Sequence, residues 1–290
     1  MKTPDNILKS RRGILKTSVL GLVGLSFPQV ALAGEKSHPN SYLGANPINI
    51  PKHFPNIDPE IVSEVVGKSH FDLERVKELV DKRPELARSV WEWRFGDFES
   101  AIGAASHVGR RDIVQYLMAK GARPSIFTFA MLGAHEVVKQ MVEFSPGIQT
   151  TMGPHGISLL DHAYYGERMK DKMNKNEIDN LKRTIDYLES LGNAGGETYI
   201  EETKAEQAKF LGDYKYGEGE KDGFTISLNM KEKMALGPIG GFGGALYKIK
   251  DNLYTYNGAP SVTVTFEIQN ESIISLTVNT PEAQINALKT

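Results

Sequence analysis

The chain of 290 residues contains no cysteine, which excludes disulfides, thiolate nucleophiles and cysteine-based metal centres together. Excess positive charge is also missing. Residues 1–33 hold five Lys/Arg and one acid, leaving 29 bases against 35 acids, a net −6, in the remainder. Nucleic acid, which needs a basic footprint, is therefore not an expected partner. The seven histidines show neither HxxxH nor HxH spacing, so the sequence announces no metal ligand. There is no GxSxG and no SxxK, the usual marks of a serine hydrolase. The one glycine-rich run, Gly237 to Gly244, is followed by Ala245-Leu246-Tyr247, whereas a phosphate loop continues GK[ST]. It reads as a strand connection able to flank a pocket. His155, Asp161 and His162 are neighbours in sequence, but Asp161 and His162 diverge by about 100° on a helix. They read as a loop residue (His155) and a turn brace (Asp161). The expectation is a non-enzyme without catalytic residues, metal or cofactor.

What the chain does have begins with a basic stretch containing Arg11 and Arg12, an apolar run from about Thr17 to Phe27, and small residues at Ala31 and Ala33. This order of parts is that of an export signal. The SRRxxLK pattern resembles the bacterial twin-arginine signal, with Ile14 at the usual phenylalanine. Residues 1–33 are expected to direct the chain to the periplasm or outside the cell, either cleaved or kept as an anchor. The stretch is short for a stable membrane span. Residues 34–57 are rich in Pro and Asn without a period, and read as an irregular leader.

From 58 to 195 the pattern is helical. Ser100 to Ser125 reads as two short helices: Ala104 and Ala105 allow close packing, Gly109 turns the chain, and Gly121 ends the second helix. Segments around Asp72–Leu79, Gly133–Lys139 and Gly156–Ala163 repeat parts of this pattern. The arrangement resembles the ankyrin repeat, in four degenerate copies. The resemblance implies stacked hairpins with a protein partner on the concave or loop face. Gly103 replaces the family's bracing histidine in one copy, and Asp161 stands there in another. The step from Gly109 to Gly133 is 24 residues against about 33 in the family, so the projecting finger is missing. A charged insertion, ERMKDKMNKNEID, enlarges the last copy.

Residues 196–207 are a polar linker, and from 208 to 290 the pattern alternates with period two, as in Val262–Ile268. Tight turns at Asp251-Asn252 and Asn270-Glu271 imply an antiparallel meander. Leu211–Tyr214, Leu253-Tyr254, Gly258-Ala259 and Val262–Phe266 resemble the small β-domain appended to penicillin-binding-protein-type serine hydrolases, a half-barrel. The expected fold class is thus multidomain α + β: an ankyrin-like helical-hairpin solenoid, then a small β-meander or half-barrel. The expected function is protein binding through Trp93, Arg94, Phe98, His155 and Tyr165. The alternative is a small apolar or glycan-like ligand in the half-barrel, with the helices as scaffold.

Overall fold

The computed structural model describes residues 52–229 and 231–290. The expected export signal, with Arg11, Arg12, Ala31 and Ala33, and most of the leader lie outside the described residues.

Several helices begin where a short polar side chain satisfies the free N–H groups of the first turn. Asp58 and Pro59 open α1 (Pro59–Lys68), and Asp72 caps α2 (Leu73–Lys82) by accepting from Arg75 N at 3.1 Å. A two-stranded antiparallel sheet, β1 (Val90–Glu92) and β2 (Phe98–Ser100), then leads into α3 (Ala101–His107), which Ser100 caps. There follow α4 (Arg111–Ala119), α5 (Ile126–Leu132), α6 (His135–Phe144), α7 (Leu159–Tyr165) and α8 (Lys175–Ser190). Ala104 and Ala105 are fully buried, in one apolar cluster with Val65, Val76, Ile113 and Leu117. Gly109 turns the chain between α3 and α4 at φ +72°, where a Cβ would meet the Tyr165 carbonyl oxygen at 2.0 Å. Only glycine fits there. Gly121 lies just past α4 at φ +87° with open space around it.

A short helix, α9 (Lys204–Ala208), precedes eight strands: β3 (Gly212–Lys215), β4 (Gly223–Leu228), β5 (Met234–Pro238), β6 (Gly244–Lys250), β7 (Leu253–Tyr256), β8 (Ala259–Gln269), β9 (Ser272–Asn279) and β10 (Gln284–Lys289). Each strand pairs antiparallel with the next. β10 then pairs back onto β3, through Leu288 with Lys215 and Lys289 with Tyr214, and the sheet closes into a barrel. Alternate residues point inward, so Val262, Val264 and Phe266 of β8 meet Leu276 and Val278 of β9 inside. Tyr214, Tyr254 and Leu236 complete a packed interior.

These observations correct the expected fold class. The strands form a closed eight-stranded barrel, not a half-barrel or open meander, and the helical part is a set of short helices, not an ankyrin solenoid. The ankyrin-like spacing of Ala104, Ala105, Gly109 and Gly121 records close helix approach and left-handed turns, which many helical hairpins share. Half-barrel alternation, likewise, identifies strands but not which edges meet. Among the described residues, no helix is long and apolar enough to cross a membrane.

Candidate metal centre between the helices and the barrel

The side chains of His70, Glu99, His107 and His155 converge from four separate places, each offering a ligand atom within 4.8 Å of the others. Two of the histidines occupy matching positions. Ser69-His70 follows α1 and Ser106-His107 ends α3, and each serine hydroxyl donates to the carbonyl four residues back, at 2.7 and 2.6 Å. Stacking one hairpin on the next brings their Nε2 atoms to 3.0 Å. Glu99 sits on β2, fully buried. Strand alternation turns it inward, while its neighbour Phe98 stays 64% exposed. His155 arrives in a short turn after Gly153, held at φ +60°, a backbone region a non-glycine residue adopts only under local constraint.

That constraint is visible. Asp97 accepts from the His155 backbone N–H at 3.0 Å and from its Nδ1 at 2.7 Å. His70 Nδ1 donates to the Gly67 carbonyl at 2.9 Å. With Nδ1 as donor in both rings, neutral imidazoles direct bare Nε2 lone pairs into the cluster. Trp93 Nε1 donates to Glu99 Oε2 at 2.7 Å. The other carboxylate oxygen, Oε1, lies 2.8 Å from His107 Nε2 and 3.3 Å from His155 Nε2, yet accepts an aligned hydrogen bond from neither.

The unpartnered Glu99 Oε1 faces the Nε2 atoms of His107 and His155, with His70 Nε2 beside the same carboxylate, a donor set that a cation would satisfy. The separations from Glu99 Oε1 to His107 and His155 Nε2 (2.8 and 3.3 Å), between His70 and His107 Nε2 (3.0 Å) and from His70 Nε2 to Glu99 Oε2 (3.5 Å) bracket the roughly 3.3 Å between neighbouring ligands of a tetrahedral ion bonded at about 2.05 Å. Asp97 on His155 and the Gly67 carbonyl on His70 are the outer partners that orient ligating histidines. Three nitrogens and one carboxylate oxygen suit zinc, iron, cobalt, nickel or manganese better than magnesium or calcium. Without a cation, the cluster holds a proton instead. Burial opposes charge on His155, but Asp97 and Glu99 outweigh it and push its pKa up to about 10. Burial likewise raises the pKa of Glu99, and His107 and His155 overcome it, so its carboxyl is held well below the usual range. Burial lowers His107.

The barrel covers one side. Its β7–β8 turn brings Gly258 so close to Asp97 that a Cβ there would lie 2.4 Å from Oδ1, and Gly156 packs against Gly258 N. Arg94 Nη1 donates across to the Phe242 carbonyl at 2.7 Å. What stays open is a cavity of about 440 Å3 whose lining includes His70, His107 and His155 and, from the barrel, Phe242, Tyr247 and Tyr256.

Of the five residues expected to bind a protein, His155 is a candidate ligand, Trp93 braces Glu99, and Arg94 lines the cavity. Tyr165 meets the cavity-lining Lys231, whose Nζ lies 4.6 Å over its ring. Phe98 points away to solvent. Asp161 braces α7 by accepting from the Ser158 hydroxyl at 2.8 Å. His162 is buried, with Nδ1 on the Ser158 carbonyl, an unpartnered Nε2, and a pKa pushed by burial down to about 4. Sequence spacing missed His70, Glu99 and His107, since a local pattern cannot show ligands set by hairpin stacking. The repeated Ser-His pair was the available signal. No protein-family model matches the chain, and no curated protein matches it.

Proposed function

We propose that the chain is a metalloprotein in which His70, Glu99, His107 and His155 hold one divalent transition-metal ion beside a cavity open to small molecules. The observation that carries this reading is Glu99 Oε1, buried and without a hydrogen-bond partner between the Nε2 atoms of His107 and His155, with His70 Nε2 3.5 Å from the same carboxylate's Oε2. A cation satisfies the oxygen and replaces the proton on the imidazoles, since ligation requires deprotonated nitrogens. Structural sites close all four positions with protein, whereas catalytic sites leave room for a further ligand. Three of the four donors here line the cavity, which favours the second kind of use. When bound, the ion supplies Lewis acidity to whatever enters.

The chain's own residues have distinct tasks in this reading. Asp97 and the Gly67 carbonyl fix ring orientation, Trp93 fixes the carboxylate, and the barrel turn at Gly258 shields the Asp97–His155 pair from water. The test is thermal denaturation of the full chain with increasing zinc. An ion at 100 times its dissociation constant stabilises by about 2.7 kcal/mol, so the melting temperature is expected to rise with zinc in the wild type and not in Glu99→Gln. Equal response of both proteins contradicts the reading.

A further inference from the structure

We propose that the cavity beside the ion binds a small organic carboxylate with a flat apolar body. This rests on the metal reading above and adds the ligand's chemistry to it. The volume, about 440 Å3, falls in the range of small-molecule pockets. Its walls are aromatic from both halves of the chain, with Trp93 on one side and Phe242, Tyr247 and Tyr256 on the other. Phe242 is carried on the glycine-rich connection before β6 and is 93% exposed, an apolar face with nothing packed over it.

The charges at the cavity select the sign of the ligand. Its one lining acid is committed, since Asp97 accepts from His155, and Glu99 behind the histidines accepts from Trp93 on one oxygen and ligates the ion with the other in the metal reading. No carboxylate is left to recognise a cationic ligand. The cations are not committed in the same way. Arg94 donates to the Phe242 carbonyl, and Lys231 touches the hydroxyl and ring of Tyr165; among the described residues neither has a carboxylate partner. With a divalent ion in place, the wall is net positive. An anion with an apolar body satisfies it and covers the aromatic faces. The neighbouring cavity of about 690 Å3 shares Tyr247 and Tyr256 but has Glu197 and no Lys or Arg in its lining, and so offers an anion no cationic partner.

The test uses the full chain loaded with cobalt(II), whose visible absorption reports ligands entering the coordination sphere, and benzoate as the probe. Benzoate is expected to change the cobalt band saturably, acetate only at concentrations at least tenfold higher, and benzyl alcohol not at all. Lys231→Ala is expected to weaken benzoate at least fivefold, with cobalt content measured in parallel to show the ion site intact. Phe242→Ala, at an exposed position, is expected to weaken benzoate and leave acetate unchanged. A band that benzoate leaves unaltered, or benzyl alcohol acting as well as benzoate, overturns the carboxylate proposal while the metal reading stands. If the chain takes up no cobalt, the metal reading fails. Calorimetric titration of the ion-free chain with benzoate then decides the second point: Lys231-dependent binding sustains it and no binding overturns it.

Discussion

The barrel and the helical half handle buried polar groups in opposite ways. Inside the barrel, the fully buried Tyr214 donates to the Phe210 carbonyl at 2.6 Å, and Tyr254 donates to Glu202 at 2.7 Å. Among the described residues, no strand of the barrel has a buried side-chain atom without a hydrogen-bond partner. The residues before the barrel have five such atoms: Glu99 Oε1, Arg111 Nε, His135 Nδ1 and His162 Nε2 in the helical half, and Gln207 Oε1 on α9. An unmet buried polar atom costs about 1–3 kcal/mol, and more when charged. A chain carries that cost where the group has another use, and Glu99 has one as a ligand. The barrel interior is then a rigid support, the helical half holds the candidate ligands, and the barrel's turns close over them.

The largest effect separating the halves is expected from Phe266→Ala. It removes a ring from the packed barrel interior, which costs about 3–5 kcal/mol. Chemical denaturation should show that loss, while the fraction still folded keeps its zinc affinity. A lower zinc affinity would mean that the barrel interior does more than support.

Next comes His162, whose pKa is lowered in the folded chain. The unfolded chain binds a proton below about 6.5 that the folded chain refuses until about 4. Stability from this group is therefore complete above pH 6.5 and lost as pH falls towards 4, by about 3 kcal/mol in full. Denaturation curves between pH 7 and 4 should flatten in His162→Leu; an unchanged slope assigns the acid sensitivity elsewhere.

Smaller still, Gly258→Ala should push a methyl against Asp97 and loosen the grip on His155. Loss of an outer partner of a metal ligand costs about 10–100-fold in affinity. Zinc titration calorimetry should find that drop in Gly258→Ala and in Asp97→Asn alike. If only Asp97→Asn loses affinity, the barrel turn is not part of the site. Gly121→Val is expected to matter least, about 1–2 kcal/mol, because its φ of +87° strains any side chain although the space is open. A much larger loss in thermal stability would mean that this turn carries packing as well.

The same contrast governs how much of the molecule could be read from its sequence. Local chemistry was legible. Gly109 and Gly121 lie at positive φ beside helix ends, and the Asp251-Asn252 and Asn270-Glu271 turns place Asn252, Asn270 and Glu271 in the left-handed region between strands. What depends on distant pairing was not. Barrel closure rests on Leu288 opposite Lys215 and Lys289 opposite Tyr214, and period-two alternation contains no information about that pairing. The candidate metal centre was hidden for the same reason. His70 and His107 are 37 residues apart, and Asp97 and His155 are 58 apart, far beyond the spacing of a ligand motif. Trp93, Arg94 and His155 stood out as binding residues without any indication that they surround an ion site.

The central claim is that the four convergent side chains hold an ion. Elemental analysis by plasma mass spectrometry tests it most directly, on full chain equilibrated with zinc and then freed of excess by gel filtration. The account predicts a single zinc per wild-type chain and none in Glu99→Gln or His107→Ala, with circular dichroism showing both variants folded. Zinc retained in the two folded variants, or absent from the wild type, would contradict it.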